Sequence, residues 1–492
     1  MKAGRAWSLL LLAAVLVAVG LATWRAQAPA KLPRKRVILV DPQPGPGLDL
    51  AEAQALALLI QDHLEMLGDL PVAGLPRLPD RLPAPPSGAT VLVLSGRAAR
   101  QGDLLALDLK WCEARAGSPA DWTWTPIAVP PLPPSQALQA ALDQFPAPLS
   151  KLPPGTLLPA SPPAFWDLLR ASASLLSNTD LEDAVMMGHR ALKEAPGCAS
   201  LHFTVASLAY RQMLEDPNPF DTAGDLVDGA FRKGLSLTPD HPRGLKVYCR
   251  VKSDEGRQRE ALDLLKPALK RHPFSSDLLW AVDYAARTSG LLDLALAARE
   301  RLELIQAPTG LPPSFGYTNL YAGRRDTFER SLWEYPGASF NGLMLLDRGY
   351  VLLLDGQKER AHASFLEAER EPTTQKHVAL LAKAYRLHLE GQRAEALAAL
   401  AELDRQRTGL RVPDGEFTFG MAEAAAYFGD TGLAMDLAHR AFSQGFACAT
   451  WFERSPMLKP LQGLPRWKAL LQHVRERQAL LQSKYPPADF GL

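Results

Sequence analysis

One set of spacings recurs along the chain between residue 164 and about residue 450. Counted from Gly349, small or apolar residues follow at Leu352, Gly356, Ala361, Phe365 and Ala368. Four other units repeat these spacings, with their first positions at Ser172, Cys249, Ala384 and Ala422. Glycine recurs seven residues into most units, and glycine accepts the left-handed conformation that ends a helix. The spacing therefore predicts consecutive pairs of helices that cross at small residues.

These spacings resemble those of the tetratricopeptide repeat, whose period is about 34 residues. The resemblance implies a mainly α fold, a TPR-like α-solenoid of about eight helical hairpins over residues 164–450, with helix A of each pair on the concave face. Two units are irregular, because residues 199–241 carry an insertion and residues 311–341 resemble a shortened hairpin. In another unit Asp283 occupies the position of the small residue.

Residues 35–148 predict a small α/β domain. A β-branched strand at 36–40 precedes a helix at 50–67, and strands at 90–97 and 104–112 form a hairpin. Residues 104–112 alternate between apolar and polar side chains, which indicates a strand with one solvated face. We expect a loop for the proline-rich residues 71–86, a further strand near 122–129 and a closing helix at 135–145. This order resembles the amino-terminal domain of TolB. A proline-rich linker is expected at 149–163.

Residues 1–28 predict either a transmembrane anchor or a cleaved signal peptide. The uncharged run from Trp7 to Trp24 is 18 residues long and would span roughly 27 Å as a helix. The sequence Ala26-Gln27-Ala28 has the form of a cleavage site, after which the protein would be secreted or periplasmic. Pro29 directly after that site favours the uncleaved single-pass anchor. Basic residues flank both ends of the run, so the side of the membrane that holds the body stays open.

The carboxy-terminal residues 451–492 are expected to cap the repeats. Ser455 to Leu461, followed by Leu464 to Leu471, resembles the segment that closes the repeat array in bacterial TPR-containing cyclases and kinases. A helix from Pro465 to Gln482 would cover the last apolar face. The kinase and cyclase motifs of those families are missing from the sequence.

Composition and motifs give no sign of catalysis, metal or cofactor. The 54 basic and 53 acidic residues nearly balance, so no nucleic-acid partner is expected. The four cysteines are far apart and have no metal-site spacing. We therefore predict a protein that is not an enzyme and that binds neither metal nor cofactor.

The predicted partner surface is the concave face of the repeats. It would combine a basic end with a ladder of aromatic side chains, suited to an extended peptide with an acidic residue or a free carboxylate. Its residues are Arg243, Lys246, Arg250, Trp280, Tyr284, Tyr350, Tyr385, His388 and Tyr427. Two alternatives stay open: the tyrosines pack in the core, and the basic residues form a solvated face.

These features predict a membrane-anchored scaffold or adaptor that binds a protein or peptide in its concave groove. The alternative is a sensory or regulatory subunit of a bacterial signalling system, with a ligand bound by the α/β domain. The first hypothesis depends on the repeats, and the second depends on analogy with the cyclases and kinases.

Overall fold

The computed structural model describes residues 35–68, 70–77, 90–115, 123–146, 156–177, 179–215, 223–306, 316–333, 342–372, 374–410 and 412–492. The predicted anchor or signal peptide at residues 1–28 lies outside these ranges. Within them, no helix is both long enough and apolar enough to cross a bilayer. The protein is mainly helical, with a small mixed sheet near its amino-terminal side.

The sheet contains strands β1 (Lys35–Val40), β2 (Gln43–Pro44), β3 (Val72–Leu75), β4 (Thr90–Gln101), β5 (Leu104–Arg115) and β6 (Thr125–Leu132). Its order is β3-β1-β4-β5-β6, and β2 pairs with β4. Strands β3 and β4 run parallel to β1, whereas β4, β5 and β6 are antiparallel neighbours. The predicted alternation in β5 is confirmed, because Leu105, Leu107 and Leu109 are buried.

Strand β3 corrects the expectation of a loop at residues 71–86. Its four residues place Val37 opposite Val72 and extend the sheet beyond β1. Such a short segment carries too few alternating residues to stand out among prolines. Pairing with β1 buries its valine and leucine, so tertiary contact decides its conformation.

Helices α1 (Leu50–Gly68) and α2 (Pro134–Leu142) cover the sheet and share its apolar core. The same core continues into the first helices of the body through Phe165, Trp166 and Leu201. The α/β domain is therefore packed directly against the helical part of the chain.

The body consists of helices that pack in consecutive pairs. The first pairs are α3 (Pro162–Ser177) with α4 (Leu181–Glu194), α5 (Ala199–Glu215) with α6 (Ala223–Leu237), α7 (Pro242–Asp254) with α8 (Gln258–Arg271) and α9 (Ser276–Thr288) with α10 (Leu292–Gln306). The later pairs are α11 (Thr318–Tyr321) with α12 (Arg325–Trp333), α13 (Gly342–Leu354) with α14 (Lys358–Arg370), α15 (Lys376–Leu389) with α16 (Arg393–Thr408) and α17 (Gly415–Tyr427) with α18 (Thr431–Ser443). The chain ends with α19 (Ala449–Arg454), a 3₁₀ turn at Pro456–Leu461, α20 (Pro465–Lys484) and a 3₁₀ turn at Pro487–Phe490.

The predicted role of the recurring glycine is confirmed. Gly256, Gly290, Gly356, Gly391 and Gly429 all have φ between +71° and +83°, and each follows the first helix of a pair. The predicted crossing of small residues is confirmed in the pair α7–α8, where the thiol of Cys249 reaches the carbonyl of Ala261 at 3.6 Å.

Asp283, which occupies the position of the small residue, is paired with a residue of the second helix in the same hairpin. Asp283 on α9 forms a fully buried ion pair with Arg299 on α10 and also accepts a hydrogen bond from Thr318. An ion pair with a further donor can replace apolar packing at a crossing because its charges remain compensated.

The last helices return to the middle of the body. The amide of Ala447 donates to the carbonyl of Thr288 at 2.8 Å, and Gln258 donates to the carbonyl of Gly445 at 2.9 Å. Near the carboxy-terminus, Lys484 and Tyr485 contact Asp263 on α8. The array therefore closes on itself around its inner face.

Candidate binding cavity

A cavity of about 280 Å³ lies where the repeats close. Its wall is formed mainly by the first helices of successive pairs, α7, α9, α11, α13, α15 and α17, and by α19. This volume is just below the roughly 300–1,000 Å³ of typical ligand pockets. The inward-facing surfaces of many helical pairs are thus arranged around a single cavity.

Aromatic rings form much of this wall. The lining includes Trp280, Tyr284, Tyr317, Tyr321, Tyr350, Tyr385, Phe417, Phe419 and Trp451. Several of the rings stack on each other, such as Trp280 on Tyr284 with centroids 5.4 Å apart. Rings that pack on each other in this way offer rigid faces to an apolar or cationic group.

The first polar region of the cavity surrounds Arg250. Its guanidinium lies 3.6 Å from the carboxylate of Asp254, which accepts hydrogen bonds from the hydroxyls of Tyr210 and Tyr284. Burial raises the pKa of Asp254 to about 7. The nearby Asp414 contributes to this rise, and Arg250 opposes it.

Arg407 adds a second cation to this region. Its side chain is only 5 % exposed, and its guanidinium lies 4.4 Å from the centre of the Phe417 ring. It donates to the carbonyl of Pro413, while its Nε meets no acceptor among the described residues. The nearby carboxylate of Asp414 caps α17 by accepting from the amides of Glu416 and Phe417. Arg407 therefore faces the cavity without a direct ion pair among the described residues, although the carboxylates of Asp414 and Asp254 lie near enough to favour its charge.

A bidentate ion pair spans the middle of the cavity wall. Arg287 on α9 donates to both carboxylate oxygens of Glu416 on α17, at 2.9 and 2.8 Å. Both side chains are less than one tenth exposed. This pair joins helices 129 residues apart in sequence and holds the closure from inside.

The second polar region is acidic. Asp347 accepts a hydrogen bond of 2.6 Å from the hydroxyl of Tyr317 through Oδ1. Its Oδ2 is buried and, within the described ranges, receives no hydrogen bond. Glu423 accepts from Tyr350 at 3.0 Å and from Ser455 at 2.5 Å. Neither carboxylate forms an ion pair with a described cation.

Burial dominates the ionisation of these two groups. It raises the pKa of Asp347 to about 8, where the nearby carboxylates of Glu416 and Glu423 add to the effect and Tyr317 and Arg287 oppose it. Burial raises the pKa of Glu423 to about 7, against the hydrogen bonds from Ser455, Tyr350 and Trp451. The acidic region therefore exchanges protons near neutral pH.

The histidine of the cavity behaves differently. Burial, with a smaller contribution from nearby arginines, lowers the pKa of His377 to about 3. Its ring packs edge-on against Phe417 with centroids 4.8 Å apart. His377 is thus a neutral wall residue near neutral pH.

Five of the nine predicted site residues line the cavity: Arg250, Trp280, Tyr284, Tyr350 and Tyr385. The structure places the other four elsewhere. His388 and Tyr427 pack against each other with ring centroids 5.0 Å apart, outside the cavity lining.

Arg243 and Lys246 lie at the contact with the α/β domain. Arg243 donates to the carbonyl of Leu58 at 2.7 Å and lies 3.2 Å from Asp62 on α1. Lys246 lies 2.6 Å from Asp277 on α9. Internal carboxylates thus hold two members of the predicted basic end, and only Arg250 faces the cavity.

Four further residues of the cavity were not predicted from the sequence: Asp347, Glu423, Arg407 and Tyr317. Asp347 and Glu423 did leave a signal, because each is an acidic residue inside an apolar stretch of a first helix. Arg407 belongs to a second helix with many other charges, and Tyr317 precedes a helix of four residues. Nothing in their local sequence separates those two from surface residues.

Comparison with known proteins gives no family for the chain. No protein-family model matches it, and none of the curated proteins searched shows significant similarity. Within the described ranges, no group of three His, Cys, Asp or Glu side chains is arranged to hold a metal ion. The cavity itself is therefore the feature on which a function must be argued.

Proposed function

We propose that this chain is a membrane-anchored, TPR-like scaffold or adaptor that binds one end of a protein or peptide partner in its cavity. In this proposal residues 7–24 form the anchor, about eight hairpins form the α-solenoid, and the sheet domain is TolB-like. The shared spacings, the left-handed glycines and the paired helices support the repeat assignment.

The cavity is the observation that carries the proposal. Its volume of about 280 Å³ lies just below the range of typical ligand pockets. An extended peptide that ran along the whole concave face would need more room. A cavity of this size suits a terminal residue better than a long segment, so we propose a chain end as the ligand.

The composition of the wall favours binding. Serine, threonine, cysteine and lysine, four common nucleophiles, do not occur in the described lining, and the groups that exchange protons near neutral pH are the carboxyls of Asp347 and Glu423. His377 has too low a pKa to act as an acid or base near neutral pH. Aromatic rings with a few polar groups are typical of recognition sites.

The test fills the cavity without disturbing the fold. Gly420 on α17 lines the cavity, and a Cβ at this position would meet no atom within 4 Å. The leucine side chain of Gly420→Leu should therefore enter the cavity, and residue 420 should stay part of α17. Gly229 on α6 is an exposed helical glycine with equally open surroundings, so Gly229→Leu is the matched control.

The measurement is affinity capture from solubilised membranes by the full-length protein and both variants. We expect Gly420→Leu to lose the specific partner and Gly229→Leu to retain it. Retention of every partner by Gly420→Leu, with the fold intact by circular dichroism, would contradict binding in the cavity.

A further inference from the structure

The cavity contains two buried ionisable groups that form no ion pair with a described residue, although Asp414 and Asp254 lie near Arg407 and Arg287 lies near Asp347. Arg407 and Asp347 are each 5 % exposed, and each has one polar atom without a hydrogen-bond partner among the described residues. Both residues line the same cavity. A buried charge without a counter-charge is costly, and proteins usually compensate it by pairing or by a change of protonation.

The surroundings of Asp347 suit an ammonium group. Tyr317 occupies one carboxylate oxygen, which leaves Oδ2 as the acceptor toward the cavity. The rings of Tyr317, Tyr321 and Tyr350 contribute to the wall with it, and aromatic faces attract cations. An amine carried on an apolar stem would meet rings along the stem and a carboxylate at its end.

The surroundings of Arg407 suit a carboxylate. Its guanidinium is fixed over Phe417 and by the Pro413 carbonyl, and Arg250 adds a second positive charge to the same cavity. Guanidinium groups bind carboxylates strongly because several donors point in one plane.

We infer that the ligand is a chain end with a carboxy-terminal lysine, whose ammonium binds Asp347 and whose free carboxylate binds Arg407. This inference rests on the proposed function and names the group that the cavity recognises. The lysine stem lies between the aromatic rings, where its methylene groups are shielded from water.

Binding is coupled to the release of a proton. Asp347 faces Tyr317 before α11, Arg287 on α9, and Glu416 and Glu423 on α17. Arg287 is already paired with Glu416, so the bound ammonium supplies the positive charge that Asp347 lacks. Because the pKa of Asp347 is about 8 without ligand, its carboxyl must lose a proton at pH 7 when the ammonium arrives.

Calorimetric titration of the full-length protein with three peptides tests the inference. The peptides are Gly-Gly-Lys, Gly-Gly-norleucine, which lacks the amine, and the amide of Gly-Gly-Lys, which lacks the carboxylate. We expect each altered peptide to bind about ten- to hundredfold more weakly than Gly-Gly-Lys, the usual effect of a charged hydrogen bond. Equal affinity for the lysine and norleucine peptides would overturn the inference.

Variants of the cavity residues test which side chain binds the ammonium of the ligand and which binds its carboxylate. Asp347→Asn should remove the preference for lysine over norleucine, and it should abolish the proton release measured in buffers of different ionisation enthalpy. Arg407→Gln should remove the preference for the free carboxylate. Asp436→Asn, at an exposed pair with Arg466, is the control and should leave all affinities unchanged.

The outcomes separate the inference from the proposed function. If Gly420→Leu loses the peptides but keeps all membrane partners, the lysine site stands and the proposed function fails. If none of the three peptides binds at millimolar concentration while Gly420→Leu loses its partner, the proposed function stands and the lysine inference fails. Tighter binding of free lysine than of Gly-Gly-Lys would contradict the chain-end ligand.

Discussion

Two regions of the protein bury several carboxylates, and the regions differ in the ion pairs and hydrogen bonds that these carboxylates form. At the contact between α1 and the repeats, Asp62 lies beside Arg243, and Asp277 beside Lys246. Glu65 in the same region accepts hydrogen bonds from Gln61, Ser275 and Ser276 at 2.7–2.8 Å. In the cavity, Asp347 has one hydroxyl donor and an oxygen that no described group reaches.

This difference distinguishes a structural contact from a candidate site. At the domain contact, burial is outweighed by Lys246 and Arg243, which leave the pKa of Asp277 below its usual value. At the same contact, burial raises the pKa of Asp62 to about 8 and that of Glu65 to about 7. Burial likewise raises the pKa of Asp347 in the cavity, so the two regions differ in hydrogen bonding and pairing and not in the pKa alone. A carboxylate without compensation is costly in a fold, and such groups concentrate where a ligand completes the arrangement.

The largest effect is expected at the ion pair that closes the cavity. Arg287→Met leaves Glu416 buried without its partner and should lower the free energy of unfolding by about 3 kcal/mol. Urea unfolding measures the change, and adding Glu416→Gln should recover most of it. An effect below about 1 kcal/mol would mean that the closure does not depend on this pair.

A smaller loss of stability is expected from a substitution at the contact between α1 and the repeats. Lys246→Met removes the cation beside Asp277, and because Lys246 is one third exposed the loss should be about 2 kcal/mol. The double variant with Asp277→Asn should be more stable than Lys246→Met alone. Equal stability of the two variants in thermal unfolding would show that Asp277 is not an uncompensated charge.

Asp347→Asn should raise the stability of the protein instead of lowering it, and the size of the gain should depend on pH. Because the pKa of Asp347 is raised in the folded state, its contribution to stability is lost as the pH rises from about 4 to about 8. The asparagine variant lacks this loss. Its stability relative to the wild type should therefore increase by up to about 1.4 kcal/mol per pH unit.

Thermal unfolding of both proteins at pH 5, 6, 7 and 8 measures that difference. Asp436→Asn, whose carboxylate is exposed, should show no such trend. A constant difference between Asp347→Asn and the wild type would indicate that Asp347 keeps an ordinary pKa.

The smallest effects concern two glycines of α17 and its turn. Gly420→Ala should stabilise the protein by about 0.5 kcal/mol, because alanine restricts the unfolded chain and finds open space in the cavity. Gly429→Ala should cost about 1 kcal/mol, because its φ of +83° is unfavourable for a side chain. Thermal unfolding of the two variants should shift in opposite directions, and shifts of the same sign would contradict this account.

The helical pairs could be predicted from sequence because their signals are local. Glycine at the turn and small residues at the crossing belong to one hairpin, so their spacing survives in the chain. The hairpin β4–β5 was predictable for the same reason. Strand β3 was missed because it depends on pairing with β1, and no local pattern of four residues can show that.

The cavity could be predicted only in part. Four lining residues were predicted as part of an aromatic ladder, because they recur at related positions in the first helices of their pairs: Trp280, Tyr284, Tyr350 and Tyr385. The closure depends on contacts between segments more than 120 residues apart, such as Arg287 with Glu416. Without it, Arg243 is indistinguishable from a groove residue, and the roles of Asp347 and Arg407 cannot be assigned.

The most direct test of the central claim is the ionisation of Asp347 itself. The signal of its carboxyl carbon can be followed by NMR in protein labelled at aspartate and assigned by its absence in Asp347→Asn. We expect a pKa of about 8 in the ligand-free protein and ionisation at pH 7 after addition of Gly-Gly-Lys. A pKa near 4 without ligand would contradict the account, because it would mean that the carboxylate is already compensated.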